Sequence, residues 1–373
     1  MQKNFLGGNI PKLGFGLMRL PMLANRIDID QTKKMVDKFM AAGFTYFDTA
    51  YVYIGGKSEV AAREAIIERY PRESFQLATK MPVWMAKKYE DLKPIFDTQL
   101  ERTGAGYFDY YLLHALGGDS IESIQKNGSW RFVWEMKDKG LIKHVGFSFH
   151  DTAEHLERIL DKYPEMEFVQ LQVNYADWEN DSIQSRRCYE IAREREMPII
   201  IMEPVKGGGL ATMNPEIQII FKEANPNVST ASWAMRYAAS LDGIITVLSG
   251  MSNLEQMEDN IKCMSGFTPL MPKEYEIIER VLVELSKVPV IPCTECGYCL
   301  DDCPQKINIP EILGAYNNYK KYENLSSSKG TYNWITNGNP KASSCIACGV
   351  CETRCPQHIG IIDALGEVVL AFE

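Results

Sequence analysis

The chain has no run of the ~18 consecutive apolar residues that a membrane-spanning helix needs. Its opening, MQKNFLGGNIPKLGFGLMRLPM, lacks the apolar core of a secretory signal. No G-x-G-x-x-G follows a strand-like run, so an open dinucleotide-binding sheet is not the natural reading. Positive charge is in deficit, with Lys+Arg 40 against Asp+Glu 49 and a net charge of −9, which argues against a nucleic-acid or membrane-surface partner. Cysteine is scarce before residue 293, where only Cys188 and Cys263 occur, both in helical patterns that read as core. The other eight of the ten cysteines lie between Cys293 and Cys355, a crowding that an even disulfide framework would not give. A cytoplasmic address is expected, and in that reducing compartment clustered cysteines serve as metal ligands or redox groups.

What is present is an ordinary soluble composition, 45% hydrophobic and 24% charged over 373 residues, enough for two domains. Short β-branched or aromatic runs alternate with helical periodicity, which predicts β/α units around a parallel sheet. Strands are expected near Gly14–Leu17, Thr45–Thr49, Phe75–Thr79, Tyr107–Leu113, His144–Ser148, Phe168–Val173, Ile199–Glu203 and Gly243–Leu248. Helical patterns follow them, among others at Leu92–Thr103, Ile121–Lys139 and Leu254–Met264, with Asp151 and Ser252 as capping residues. Eight such units fit an α/β fold, a (β/α)8 TIM barrel, over residues 1–287. Leu6–Ile10, with Gly7 and Gly8, is expected either as a hairpin plugging the barrel bottom or as a flexible arm. Pro289 and Pro292 mark a boundary, and residues 288–373 form a second, cysteine-rich domain. There Ile309–Tyr322 reads as a helix, and Asn324–Gly330 and Asn333–Asn339 read as loops.

The cysteines repeat one motif. Cys293-x2-Cys296-x2-Cys299-x3-Cys303-Pro304 returns as Cys345-x2-Cys348-x2-Cys351-x3-Cys355-Pro356. Three thiolates on a tight loop can grip one [4Fe–4S] cube while the fourth, before proline, reaches the other cube. The spacing therefore predicts Cys293, Cys296, Cys299 and Cys355 on one cluster, and Cys345, Cys348, Cys351 and Cys303 on the other. Gly297 and Gly349 would let the backbone wrap close to the sulfurs. A pair of zinc knuckles would more commonly use separated C-x2-C pairs. The module resembles bacterial two-cluster ferredoxins, although the 41 residues between Cys303 and Cys345 exceed what a compact ferredoxin needs. It is closer to the mostly α-helical ferredoxin-like domains fused to redox enzymes.

At the ends of successive expected strands stand Asp48, Lys80 and His114, with Tyr53 in the loop after Asp48. Strand ends of a barrel converge on one mouth, where catalytic groups collect. Lys80 beside Tyr53 would lower the phenol's pKa from about 10 toward working pH, while Asp48 keeps Lys80 charged and His114 polarises a carbonyl. Phe47-Asp48-Thr49-Ala50-Tyr51-Val52-Tyr53, Ala78-Thr79-Lys80, Leu112-Leu113-His114 and Gly140–Ser148 look like the aldo-keto reductase family over about residues 1–287. The whole chain is similar to the subgroup with a C-terminal two-cluster ferredoxin-type domain.

The resemblance implies Asp48, Tyr53, Lys80 and His114 as the catalytic tetrad, and a nicotinamide, NADP or NAD, across the barrel mouth. It implies cofactor contacts from Ser148, Gln170, Met202, Glu203, Pro204, Lys206, Gly207, Gly250, Ser252, Gln256 and Asn260. Met202 stands where many members stack an aromatic ring, and Gln256 where NADP-specific members carry arginine. Phe149-His150 replaces the usual asparagine after Ser148. His150 is expected at the rim or against substrate, and Trp84 and Trp178 as pocket walls or barrel caps.

The function expected is an oxidoreductase: reduction of a small-molecule aldehyde or ketone with Tyr53 as proton donor, coupled to clusters that relay single electrons to the site or to a soluble carrier. Two alternatives stay open: an electron-transfer or docking protein with a non-catalytic barrel, or a reductase whose clusters are structural or redox-sensing. Because nicotinamide moves two electrons together and a cube moves one, a flavin is a further candidate bridge.

Overall fold

Short apolar runs, several of them β-branched or aromatic such as Tyr46–Asp48, Phe108–Leu116 and Ile199–Met202, supply the barrel strands. In the computed structural model, which describes Leu6 and residues 10–373 except 119, 182 and 301, these runs form strands β1 (Leu13–Gly16), β2 (Tyr46–Asp48), β3 (Gln76–Met81), β4 (Phe108–Leu116), β5 (Ile142–Phe149), β6 (Phe168–Gln172), β7 (Ile199–Met202) and β8 (Ile244–Ser249). All neighbours pair in parallel, and β1 pairs with both β8 and β2, so the sheet closes into a barrel. The eight-stranded barrel expected from the β/α alternation is present.

Side chains alternate across a strand, so every second residue shares a face. Tyr46, Ala78, Tyr110, Leu112, Phe168, Ile200 and Leu248 form one buried cluster inside the barrel. Leu6 and Ile10 pack against it, while Gly7 and Gly8 of the expected hairpin lie outside the described residues. The opposite faces, including Phe47, Leu77, Val145, Val169 and Ile201, join the larger core shared with the surrounding helices. Burying one such side chain stabilises the fold by roughly 1.5–3 kcal/mol.

The helices around the barrel include α1 (Ile29–Ala41), α2 (Lys57–Ala62), α3 (Leu92–Thr103), α4 (Ser120–Asn127), α5 (Ser129–Asp138), α6 (Ala153–Lys162) and α7 (Ser185–Glu194). The single helix expected over Ile121–Lys139 is two, because Gly128 adopts φ +72° and an added Cβ would lie 2.8 Å from the Tyr89 ring. Further along are α8 (Pro215–Ala224), α9 (Thr230–Ala239), α10 (Leu254–Met264) and α11 (Pro272–Lys287). The expected caps move by one residue. Thr152 precedes α6, and Asn253 caps α10 by accepting from the Gln256 N–H at 2.9 Å.

The chain divides into two compact units, one comprising the chain through Val205 with Ser232–Met271, the other Lys206–Ala231 with Pro272–Glu373. The second unit contains α8, α11, α12 (Ile309–Tyr322), α13 (Leu325–Ile335), α14 (Val350–Arg354) and α15 (Ile361–Phe372). Its core is built from Ile307, Ile312, Leu313, Tyr332, Leu365 and Phe372. The loop expected at Asn324–Gly330 is the start of helix α13, whereas Asn333–Asn339 holds the last three residues of that helix and then the expected turn over 336–339. The helix's polar sequence conceals a start signal, since the Asn324 side chain accepts from the Ser327 N–H at 3.0 Å. No helix among the described residues is long and apolar enough to cross a membrane.

Candidate active site and cluster sites

Extending the inward-facing parity by one step to each strand's C-terminal end gives Asp48 after Tyr46, Lys80 after Ala78, His114 after Leu112, Ser148 after Gly146, Gln170 after Phe168 and Met202 after Ile200. Six of the expected site residues thus face inward at the barrel mouth, staggered by the strand registers: Asp48 pairs with Ala78, Lys80 with Leu112 and Met202 with Gln172, while Ser148 pairs with Gln170.

Within the mouth Lys80 is completely buried and its ammonium is the hub. It donates to Asp48 Oδ1 at 2.5 Å, to the Thr49 carbonyl at 2.9 Å and to the Tyr53 hydroxyl at 3.2 Å. Burial alone would lower the Lys80 pKa, but Asp48 and Tyr53 hold it above its ordinary value. The same burial pushes the Asp48 carboxyl up against the pull of Lys80. At 2.5 Å the charged pair gives Lys80 and Asp48 Oδ1 a charge-assisted hydrogen bond and leaves Asp48 Oδ2 without a partner.

The expected lowering of the Tyr53 pKa is not what this environment gives. Desolvation, reinforced by Asp48 and Glu203, outweighs Lys80, and the phenol lies above its ordinary value of 10.0. Much of the lysine's field is already balanced by Asp48, which leaves Tyr53 a protonated acid. His114 is pushed down to about 3, first by burial and then by Lys80 and His150, so its imidazole is neutral. Its ring stands edge-on to Tyr53, with centroids 5.9 Å apart, and Trp84 lies over it at 5.3 Å. Tyr51, the other phenol of the loop, packs instead under the Arg102 guanidinium, 4.3 Å from its ring centroid.

The loop that presents Tyr53 turns through Ile54, Gly55 and Gly56, all with positive φ. A Cβ on Gly56 would sit 2.7 Å from the Arg102 guanidinium. Arg102 in turn donates to the Tyr51 carbonyl and to buried Glu59, whose other oxygen accepts from Thr79 and Gln99. Gln99 also donates to the Lys80 carbonyl at 3.1 Å. This brace was missed in the sequence, where Glu59 and Arg102 look like helix-surface charges.

Three polar atoms in the mouth are buried without a hydrogen-bond partner: Asp48 Oδ2, His114 Nδ1 and Gln170 Oε1. Gln170 Nε2 donates to the Met202 sulfur at 3.4 Å, and the Ser148 oxygen accepts from the Ala115 N–H at 2.8 Å, leaving the Ser148 hydroxyl proton free to donate. An amide-bearing ring fits this set, accepting from Ser148 and donating to Gln170. Glu203 has φ +54° and its carbonyl accepts from Asn174 at 3.2 Å; Pro204 is buried beside it. Ser252 donates its N–H to Gln256 Oε1 at 2.7 Å and its hydroxyl to the Arg19 carbonyl, Asn260 donates to Ser249 at 2.7 Å, and Gly250 faces the Arg19 side chain. Lys206 and Gly207 belong to the second unit, where Lys206 lies 5.7 Å from the Tyr322 ring centroid.

The cysteines of the second unit gather in two sets. One cavity of about 330 Å³ is lined by Cys303, Cys345, Cys348 and Cys351, and another of about 340 Å³ by Cys293, Cys296, Cys299 and Cys355. Ile309 lines both. The two loops repeat each other's backbone: Glu295 and Ala347, Gly297 and Gly349, and Lys306 and His358 all have positive φ. Among the described residues no three His, Cys, Asp or Glu groups are close enough to share one metal ion. A zinc ion needs its ligands about 2.0–2.3 Å away, whereas a cube spreads its thiolates around a body several ångströms wide; the donor set fits the cube. Cys188 is buried and Cys263 half-buried, with thiols pushed up by burial and hydrogen-bonded to the Asp151 and Ser232 carbonyls.

The aldo/keto reductase family profile matches residues 12–283, and a 4Fe-4S dicluster domain profile matches residues 292–359. The chain belongs to the aldo/keto reductase family. Among curated members, an aldo-keto reductase of Mycolicibacterium smegmatis is 27% identical over 42% of this chain and 52% of its own length. An uncharacterized oxidoreductase of Bacillus subtilis is 23% identical over 71% of this chain and 92% of its own. The chain spans about half the length of the first curated relatives it matches. Among solved structures, an aldo-keto reductase from Klebsiella pneumoniae in complex with NADPH superposes with a TM-score of 0.60 at 18% identity, covering 75% of this chain and 94% of that one. At that identity the likeness is one of fold alone; Asp48, Lys80 and His114 lie within the residues that the family profile matches.

Proposed function

We propose that this protein reduces the carbonyl group of a small aldehyde or ketone, with Tyr53 as proton donor, and that eight cysteines bind two [4Fe–4S] clusters linking the reaction to single-electron transfer. The observation that carries the reading is the Lys80 hub: one buried ammonium joined to Asp48, the Thr49 carbonyl and the Tyr53 hydroxyl. Asp48 keeps Lys80 charged and oriented, and Lys80 donates to the phenol oxygen, which steadies the negative charge left there when Tyr53 gives up its proton. Neutral His114 offers an N–H to the substrate oxygen without competing for that proton. Ser148 and Gln170 would orient a nicotinamide ring, and Met202 would border it.

Bound, the nicotinamide supplies a hydride and the clusters supply single electrons. NADP is favoured over NAD by the NADPH-bound relative, and a flavin is kept as an alternative bridge. Chemically the chain divides near residue 287, with the reductase before it and the cluster ligands after. A reducing compartment such as the cytoplasm suits both, and a soluble electron carrier is the expected partner.

In the test, purified holoprotein is titrated anaerobically with NADPH and NADH while cluster absorption is followed, and Tyr53→Phe is assayed beside it. Bleaching by nucleotide, with carbonyl reduction lost in Tyr53→Phe at unchanged cluster absorption, is expected. Undiminished turnover in Tyr53→Phe removes the tetrad from the mechanism, and clusters that nucleotide never bleaches have a structural or sensing role.

A further inference from the structure

The backbone that leads into each cysteine loop has little regular structure to fix it. Residues 289–297 form neither helix nor strand, and Pro292 has no N–H to donate. The second loop is entered through a single turn, Ala342–Ser344. A cube needs its thiolates presented together, so the chain ahead of each first cysteine has to be held by a group from elsewhere in the module.

Two residues before Cys293, the Ile291 backbone is gripped by one side chain of α12. Ile291 donates its N–H to Asn317 Oδ1 at 2.9 Å, and its carbonyl accepts from Asn317 Nδ2 at 2.8 Å. The same carbonyl accepts from the Cys293 N–H at 2.7 Å, which ties the grip to the ligand itself. Leu313, one turn back on the same face of α12, lines the cavity of Cys293, Cys296, Cys299 and Cys355.

Two residues before Cys345, the grip comes from Glu373 at the end of α15. Ser343 donates its N–H to Glu373 Oε1 at 3.0 Å and its hydroxyl to Oε2 at 2.6 Å. Buried Tyr332 completes the clasp: its hydroxyl donates to Glu373 Oε1 and accepts from the Ala342 N–H at 2.9 Å, and the Ala342 carbonyl accepts from the Cys345 N–H at 3.1 Å. Leu365, two turns back along α15, lines the cavity of Cys303, Cys345, Cys348 and Cys351. The two sites are thus clasped at equivalent positions by unlike groups, an amide and a carboxylate.

We infer that Asn317 and Glu373 are positioning residues, each holding the first cysteine of one set and so setting how firmly that one cluster is retained. The inference rests on the proposed binding of two clusters. Each side chain acts through the loop backbone, and the two clasps share no residue. Losing one should therefore loosen its own cluster and leave the other in place.

In the test, anaerobic holoprotein is challenged with an iron chelator while iron release and visible circular dichroism are followed. Asn317→Leu keeps the size of the side chain and removes both bonds to Ile291. One cube's share of the iron should then leave about five- to thirtyfold faster, the worth of one to two neutral hydrogen bonds, while the other share leaves at the wild-type rate with the spectrum that Cys293→Ala retains. In Glu373→Leu the fast share should be the other cluster, and the spectrum kept should be that of Cys345→Ala. Asn317→Asp, which still accepts from the Ile291 N–H, and Glu373→Gln, which still accepts from Ser343, should each recover part of the slow release. A variant isolated with one cube already missing supports the inference when the spectrum it keeps is the expected one, and overturns it when it is not. Equal acceleration of both shares overturns it, because the residue then holds the module as a whole, and so does unchanged release. A wild type that takes up no cubes on reconstitution removes the cluster reading and the role of the clasps with it, a failure seen in its iron content before any variant is compared.

Discussion

Replacing Lys80 by methionine is the perturbation whose size can be worked through most completely. Lys80 is fully buried and Asp48 nearly so, and Asp48 Oδ2 has no hydrogen-bond partner even with the lysine in place. Methionine fills much of the lysine's volume, so the main cost is electrical. Left alone, the Asp48 carboxylate either stays charged in a site without water, at a cost of about 3–5 kcal/mol, or takes up a proton. Protonation caps the penalty at about 1.4 kcal/mol for every pH unit above the ordinary carboxyl value of 3.8, which is about 4 kcal/mol at pH 7 and about 1.6 at pH 5.

The sign is fixed by linkage. In the variant the folded state holds a proton on Asp48 that the unfolded chain releases, so stability is lost as pH rises. Lys80→Met should therefore be far less damaging at pH 5 than at pH 7. In Lys80→Met/Asp48→Asn the charge is gone, the pH dependence should vanish, and most of the stability lost at pH 7 should return while activity does not. Tryptophan fluorescence suits the measurement, because Trp84, Trp130, Trp134, Trp178 and Trp233 all lie in the unit that contains the barrel and Trp334 alone in the other. A pH-independent loss in the single variant, or a double variant no more stable than the single, would refute the reasoning.

The tetrad also predicts a pH profile. With His114 near 3 and Tyr53 above 10.0, carbonyl reduction should stay flat between about pH 5 and 9, while the reverse oxidation, which needs the phenolate, should climb with pH; a fall in reduction centred near pH 6.5 would mean that His114 titrates as an ordinary histidine. Gly56→Ala should destabilise the barrel by at least ~1–2 kcal/mol from its left-handed backbone alone, and more because the new Cβ would displace Arg102 from buried Glu59. A melting curve unchanged by that substitution contradicts the brace.

The barrel was legible because two periodicities of the chain, two for strands and 3.6 for helices, alternate cleanly, and because the same two-residue parity that buries Tyr46 and Ala78 sets Asp48 and Lys80 at the rim. The cysteine spacing was legible because it is local: the grip of a short loop is written in a few residues. What escaped reading depends on distant packing. Glu59 and Arg102 look solvated on a helix, yet Glu59 is fully buried once α2 and α3 pack on the barrel. The direction of the Tyr53 shift was misjudged because proximity to Lys80 is visible in the sequence, while desolvation and the balancing charge of Asp48 are three-dimensional. Helix α13 was hidden by serine, threonine and asparagine, residues that favour loops until a cap and a packed face on α12 decide otherwise.

The crossing of the fourth cysteines carries a consequence for stability. If Cys303 serves the set Cys345, Cys348 and Cys351, and Cys355 serves Cys293, Cys296 and Cys299, each cluster ties the two ends of the module across α12 and α13. The span from Cys299 to Cys355 is 355 − 299 = 56 residues, and by the loop-entropy relation used for disulfides a cross-link over roughly 50 residues constrains the unfolded chain by about 4 kcal/mol. An uncrossed arrangement, with Cys303 serving its own loop, would close only the short Cys293–Cys303 segment and leave the two ends untied. Ligation is then a large part of the folding free energy of this region. Removing iron with a chelator under anaerobic conditions should cost helical signal from α12 to α15 while the barrel tryptophans keep their native emission. Cys303→Ala should lose the same cluster spectrum as Cys345→Ala, and Cys355→Ala the same as Cys293→Ala. If Cys303→Ala pairs spectroscopically with Cys293→Ala instead, the clusters are not crossed, and the long-range tie that stabilises the module must be sought in its hydrophobic core.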